Sequence, residues 1–285
     1  MARTMAIWFL AVGLVLAGSA IAQATFIGNL INYDGVTWNR VVGVGRAGFF
    51  DPSTWTQRSD LGAAVVGDLF LAVFYAEEIY WGSTLKGRIS GSPPLFSGEW
   101  TKVLAMKLTG RSPAGGNKEN WTFSAWDSSL PAIEGQTPNI NTALNEVLRV
   151  WLDDTRDLYT LENDLGPDIR DAQDGVLWAS FKLNTLSAEY DYVSVGGIIF
   201  QWLVVSMGLD AVSAPGLDFP DTPDFSMSFR VTDLSGSDWK LQIGAGTFPD
   251  VQKFRVTPEP ATLASLFGIG AVGGLGWIFR RQKFS

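Results

Sequence analysis

The sequence predicts a mainly β protein. It reads as a single β-sandwich or jelly-roll-like domain over residues 25–256, between an N-terminal signal peptide (1–24) and a C-terminal transmembrane helix. Three observations predict this. Runs rich in β-branched and aromatic residues recur along the middle of the chain, clusters of turn residues separate them, and an uncharged apolar segment lies near each end.

The strand-like runs come in order. Residues 37–44 (TWNRVVGV) and 67–80 (GDLFLAVFYAEEIY) open the domain, followed by 100–108 (WTKVLAMKL). Then come 176–183 (VLWASFKL), 192–207, 225–232 (FSMSFRVT), 239–244 and 251–256. Turn clusters fall at 111–116 (RSPAGG), 213–216 (SAPG) and 234–237 (LSGS). Residues 141–152 carry apolar side chains near helical spacing, yet 147–152 reads equally as a strand. Tyr192 to Leu209 is uncharged between Asp191 and Asp210; its glycines and valines argue for a strand pair, or a strand and its turn, over a membrane span.

The two ends read as export signals. Arg3 gives a short positive region, Met5 to Ala17 is apolar, and Ala20-Ile21-Ala22 and Ala22-Gln23-Ala24 are small-x-small sites. Cleavage is expected after Ala24, with Ala22 as the alternative. At the other end Pro258, Glu259 and Pro260 precede an uncharged run from Ala261 to Phe279, closed by Arg280, Arg281 and Lys283. At 1.5 Å per residue that run spans roughly 28 Å, near the thickness of a hydrocarbon core. The basic cluster is the membrane stop and holds the extreme C-terminus on the cytoplasmic side.

This tail, residues 257–283, resembles the PEP-CTERM sorting signal of exported proteins in Gram-negative bacteria that make extracellular polysaccharide. The resemblance implies recognition by an exosortase, a membrane protease-transpeptidase that cuts near the motif. It also implies the general secretion machinery as a partner, transient anchoring in the inner membrane, and a final place at the cell surface or in the biofilm matrix. Five glycines (Gly268, Gly270, Gly273, Gly274, Gly276) weaken the helix of the span, and Pro258 and Pro260 keep the segment before it extended. Both features suit an anchor that is held and then processed.

Composition narrows the domain's chemistry. The chain has no cysteine and no histidine, so disulfides, thiol nucleophiles, Ser-His-Asp triads and the usual zinc sites are excluded. Its net charge is −8, and the ends to be removed hold more bases than acids, so the domain is more acidic still. Nucleic acid is an unsuitable partner for such a surface.

Gly43-Val-Gly45-Arg-Ala-Gly48 matches G-x-G-x-x-G, but Pro52 interrupts any helix that would follow, so it reads as a glycine-rich strand end or turn. Ser83-Thr-Leu-Lys86 matches S-x-x-K without the motifs that accompany it in penicillin-recognising enzymes. Glu77-Glu78 and Asp153-Asp154 are neighbours in sequence and point to opposite faces of a strand, so neither pair is a glycosidase couple by itself. No complete catalytic motif is present, and the expected role is adhesive or structural, without catalysis.

The densest acidic run extends from Asp153 to Asp174. Within it Asp164, Asp168, Asp171 and Asp174 are the expected calcium ligands, although the EF-hand order is not matched. No cofactor other than calcium is expected. A calcium-assisted, lectin-like carbohydrate-binding module, with tryptophans stacking on extracellular polysaccharide, is the alternative reading. A glycoside-active enzyme using two carboxylates from different strands is the third.

Overall fold

The computed structural model describes residues 39–88, 98–153, 157–158, 164–213, 225–244 and 250–254. The signal segment 1–24 and the tail 257–283 lie outside the described residues. No helix among the described residues is long and apolar enough to cross a membrane.

The protein is mainly β. Eleven strands form one large antiparallel sheet: β1 (Asn39–Phe50), β2 (Leu69–Trp81), β3 (Thr84–Arg88), β4 (Glu99–Gly115), β5 (Lys118–Ala125), β6 (Glu146–Asp153), β7 (Val176–Val195), β8 (Ile198–Ser213), β9 (Phe225–Asp233), β10 (Leu241–Ile243) and β11 (Asp250–Phe254). One helix, α1 (Leu165–Asp171), lies between β6 and β7.

The pairings close on themselves. β1 pairs β2, β2 pairs β4, and β4 pairs β5 along one half and β6 along the other. Both of these reach β7, which pairs β8; β8 pairs β9; and β9 returns to β1 through β10 and β11. Among the described strands, only β3 hangs outside the ring, on β2. Closure removes the open edges on which a sheet would otherwise aggregate.

Strand alternation sorts side chains into two cores. On β2, Phe70, Ala72, Phe74 and Ala76 face the inside of the ring, where they meet Phe49, Trp121, Phe123, Phe181 and Phe229. Leu69, Leu71, Val73 and Tyr75 face outward and are equally buried. They are covered by the crossover between β5 and β6 (Trp126, Ile133, Ile140), by Trp239, and by Leu165, Ile169 and Ala172 around α1. Those last three recur at the spacing that puts one helical face against a sheet. Burial on both faces explains why β2 reads as a near-continuous apolar run.

Glycines set the close approach of β1 to β2. A Cβ on Gly43 or Gly45 would run into the backbone carbonyl oxygens of Tyr75 and Val73 respectively. The G-x-G-x-x-G match therefore lies inside β1, not at a strand end or turn. At the β7–β8 turn, Gly196 and Gly197 have φ of 61° and 83°, as a two-residue type I′ hairpin requires. This hairpin contains the uncharged stretch 192–209. Its apolar tip is exposed: Val195, Ile198, Ile199 and Phe200 each keep more than half of their surface in solvent.

All eight expected runs meet strands. The ambiguous segment 141–152 resolves as a 3-10 turn (Thr142–Leu144) followed by β6. Asn145, with φ of 56°, breaks the turn before it can continue as a helix.

Candidate metal centre

The site is built where the cover over the outer core reaches the ends of two strands. Glu99 opens β4 and Asp153 closes β6. The two are direct partners in the antiparallel register. Like charges placed opposite each other on neighbouring strands repel. Asp157 follows shortly after β6, Asp171 ends α1, and Asp174 lies in the turn that enters β7.

These five carboxylates form two triads that share Asp157. Oxygens of Glu99, Asp153 and Asp157 all lie within 4.8 Å of one another, and so do those of Asp157, Asp171 and Asp174. Glu99 is fully buried and Asp153 nearly so, whereas Asp174 is exposed at the outer rim. Glu99 Oε1 accepts a hydrogen bond from the Leu158 N–H at 2.8 Å. Glu99 Oε2 is buried and has no hydrogen-bond partner. Asp171 is buried, and its Oδ1 accepts from Arg170 Nε at 2.7 Å.

Burial, the largest cause, pushes the Glu99 carboxyl up to about 8. The charges of Asp157 and Asp153 add to this, and the Leu158 N–H opposes it. Asp174 is raised to about 7, first by burial and then by the charges of Asp153 and Asp157. Both shifts have the same causes, burial and neighbouring carboxylates.

Other buried acids are compensated. Glu146 Oε2 accepts from Arg149 Nε at 2.7 Å and from the Asn141 N–H at 2.8 Å, and its Oε1 accepts from Ser180 Oγ at 2.8 Å. Asp68 accepts from Arg58 Nε and Nη2 at 2.8 and 2.7 Å and from the Val65 N–H at 2.9 Å, which pins the loop after β1. Asp168 accepts from Trp239 Nε1 at 2.7 Å.

The expected calcium set is thus brought together only in part. Asp171 and Asp174 join the cluster. Asp164 stands exposed at the N-cap of α1, outside both triads, and Asp168 is turned toward Trp239 in the outer core. Their spacing would put all three of Asp164, Asp168 and Asp171 on one helical face, but Asp168 is buried and its carboxylate is taken by the Trp239 N–H. Asp153 and Asp157, from the same acidic run, take their places, together with Glu99 from a distant part of the chain.

A donor set of carboxylates alone suits a hard divalent cation that takes oxygen ligands; it lacks the nitrogen and sulfur that zinc prefers. Gly175 belongs to the same construction. A Cβ there would strike the Leu152 carbonyl and sit 3.1 Å from Asp153 Cα, so glycine lets the entry to β7 lie against the end of β6.

The remaining motifs do not converge. Ser83 and Lys86 lie on the β2–β3 hairpin, where the Lys86 ammonium sits over the Trp81 ring. Glu78 is held by Arg88 and Tyr80. Trp100, Trp121, Trp126, Trp151, Trp178 and Trp239 are buried in the cores and present no ring face for a sugar. The sorting residues Pro258, Glu259 and Pro260, the stop residues Arg280, Arg281 and Lys283, and the cleavage sites Ala22 and Ala24 lie outside the described residues. No family model, no curated protein and no solved structure matches the chain.

Proposed function

We propose that this is an exported surface or matrix protein, sorted by an exosortase through residues 257–283. Its β domain, a ring of antiparallel strands read as sandwich-like, serves as a non-catalytic adhesive or structural unit in extracellular polysaccharide. The observation that carries the sorting step is the order Pro258-Glu259-Pro260, an uncharged span, then Arg280, Arg281 and Lys283 near the chain end, on a chain that opens with a signal-like segment. In this reading the signal is removed, the ring folds outside the inner membrane, and the span holds it until cleavage near the Pro-Glu-Pro triplet.

Two features of the ring support a structural role. Its strands close on one another, which suits a protein that must stay folded without disulfides. Six of its tryptophans are buried and pack the two cores.

The test is the intact mass of the protein from its native host, with and without the exosortase. The expected masses begin after Ala22 or Ala24 and end near Pro258–Pro260 only when the exosortase is present. A C-terminal span retained in both strains would refute exosortase sorting.

A further inference from the structure

We propose that Glu99, Asp153 and Asp157 form a calcium site, continued by the buried Asp171 to the exposed Asp174. The inference stands independently of export and sorting.

The argument begins with Glu99. A carboxylate removed from water must recover its lost solvation from donors or from a cation. Glu146, Asp68 and Asp168 each do so with donors from side chains, and Glu146 and Asp68 with an arginine. Glu99 has one backbone N–H on Oε1 and nothing on Oε2, although the residue has no exposed surface. What faces it is more negative charge: Asp153, its cross-strand partner, and Asp157. A fold that only needed to fill this position would do so more cheaply with an apolar residue. A bound cation supplies what is missing and turns the repulsion among the carboxylates into ligation.

Ligand chemistry selects calcium. It takes six to eight oxygens in an irregular shell, and carboxylates bind it through one oxygen or two. The oxygens of Glu99, Asp153 and Asp157 lie within 4.8 Å of one another, and three carboxylates binding through one oxygen or two supply three to six of those ligands. Magnesium requires near-octahedral geometry and keeps its waters, so a crowded, half-buried carboxylate pocket suits it poorly. Asp157 belongs to both triads and links the first to Asp171 and Asp174. The ion would join four parts of the chain that are distant in sequence: the start of β4, the end of β6, the C-terminal end of α1 and the entry to β7. Binding would therefore lock the cover of the outer core onto the sheet.

The experiment is thermal melting of the full-length protein in chelator, in millimolar calcium and in millimolar magnesium, for the wild type and three variants. Calcium is expected to raise the wild-type melting temperature by roughly 5 °C or more at concentrations well above its dissociation constant. Magnesium should give a smaller rise. Glu99→Gln removes the buried charge and should abolish the calcium response. Asp174→Asn acts at the exposed rim, where folding tolerates substitution, and should weaken the response at least tenfold in calcium concentration. Asp164→Asn, outside both triads, should respond like the wild type. The proposal is overturned if calcium leaves the wild-type melting temperature unchanged, or if Asp174→Asn and every folded Glu99 variant keep the full response. Should Glu99→Gln fail to fold, Asp174→Asn against Asp164→Asn decides the matter alone.

Discussion

β6 carries a buried carboxylate at each end, and the fold treats the two in opposite ways. At its start, Glu146 is enclosed by Arg149, Ser180 and the Asn141 N–H, so every oxygen has a donor. At its end, Asp153 faces Glu99, whose second oxygen has none. The same strand thus shows a closed ion-pair network and, about 23 Å away at some 3.3 Å per residue, a carboxylate cluster with one buried oxygen that has no donor. The first is complete as protein. The second makes physical sense only with a proton or a cation in it. Burial alone therefore says little about a carboxylate's role, and the count of donors around it says much more.

The largest effect is expected at the closed end. Glu146→Ala leaves the Arg149 guanidinium, the Ser180 hydroxyl and the Asn141 N–H without their acceptor. It should cost about 3–5 kcal/mol in denaturant unfolding, the range for breaking a buried pair by removing one partner. A loss under about 1 kcal/mol would mean that the network is not a structural lock. Next comes Gly175→Ala. Its Cβ forces β7 away from Leu152 and Asp153, and a cost of about 1–3 kcal/mol is expected, with a weaker calcium response because Asp174 moves with the backbone.

Glu99→Gln should behave in the opposite sense to Glu146→Ala. In chelator the variant should melt no lower than the wild type, because it removes repulsion along with the charge. Its pH dependence sharpens the contrast. The folded Glu99 carboxyl sits at about 8 against an ordinary value of 4.5, so the metal-free fold favours the protonated form. That contribution is fully present below pH 4.5 and is lost as pH rises through about 8. Asp174, raised to about 7, acts in the same direction. In chelator the wild type should therefore lose stability between about pH 4.5 and 8 more steeply than Glu99→Gln does, and calcium should remove the difference. Equal slopes for the two proteins would contradict the electrostatic account.

The smallest effect is expected at the β7–β8 tip. Ile198→Ser removes an apolar side chain that already lies in water, and stability should change by less than about 0.5 kcal/mol. A larger loss would show that the tip is packed in solution.

Much of the sheet was legible in the sequence because its strands carry β-branched and aromatic runs between turn clusters. What escaped did so for local reasons. β6 is buried on both faces, so Val147 to Leu152 shows no period that separates strand from helix. α1 is short, contains Pro167 and lies in an acidic run, and it reads as a loop. β5 alternates Trp121 and Phe123 with Asn120 and Thr122, yet it follows a turn cluster directly, which masks it as a separate strand. At the site, the acidic run pointed to Asp171 and Asp174, but no local pattern shows that Asp168 turns inward to Trp239. Glu99 was beyond reach for a different reason. Its place beside Asp153 depends on the register of β4 with β6, a pairing between residues more than fifty positions apart. The tail 257–283 remains readable only as sequence.

The most direct measurement is an anomalous difference map from a crystal of the protein grown in calcium. The account predicts a peak between Glu99, Asp153 and Asp157, with Glu99 Oε2 at about 2.3–2.6 Å from it. A map with no peak there, or with calcium only against Asp164 and the exposed acids, would contradict it.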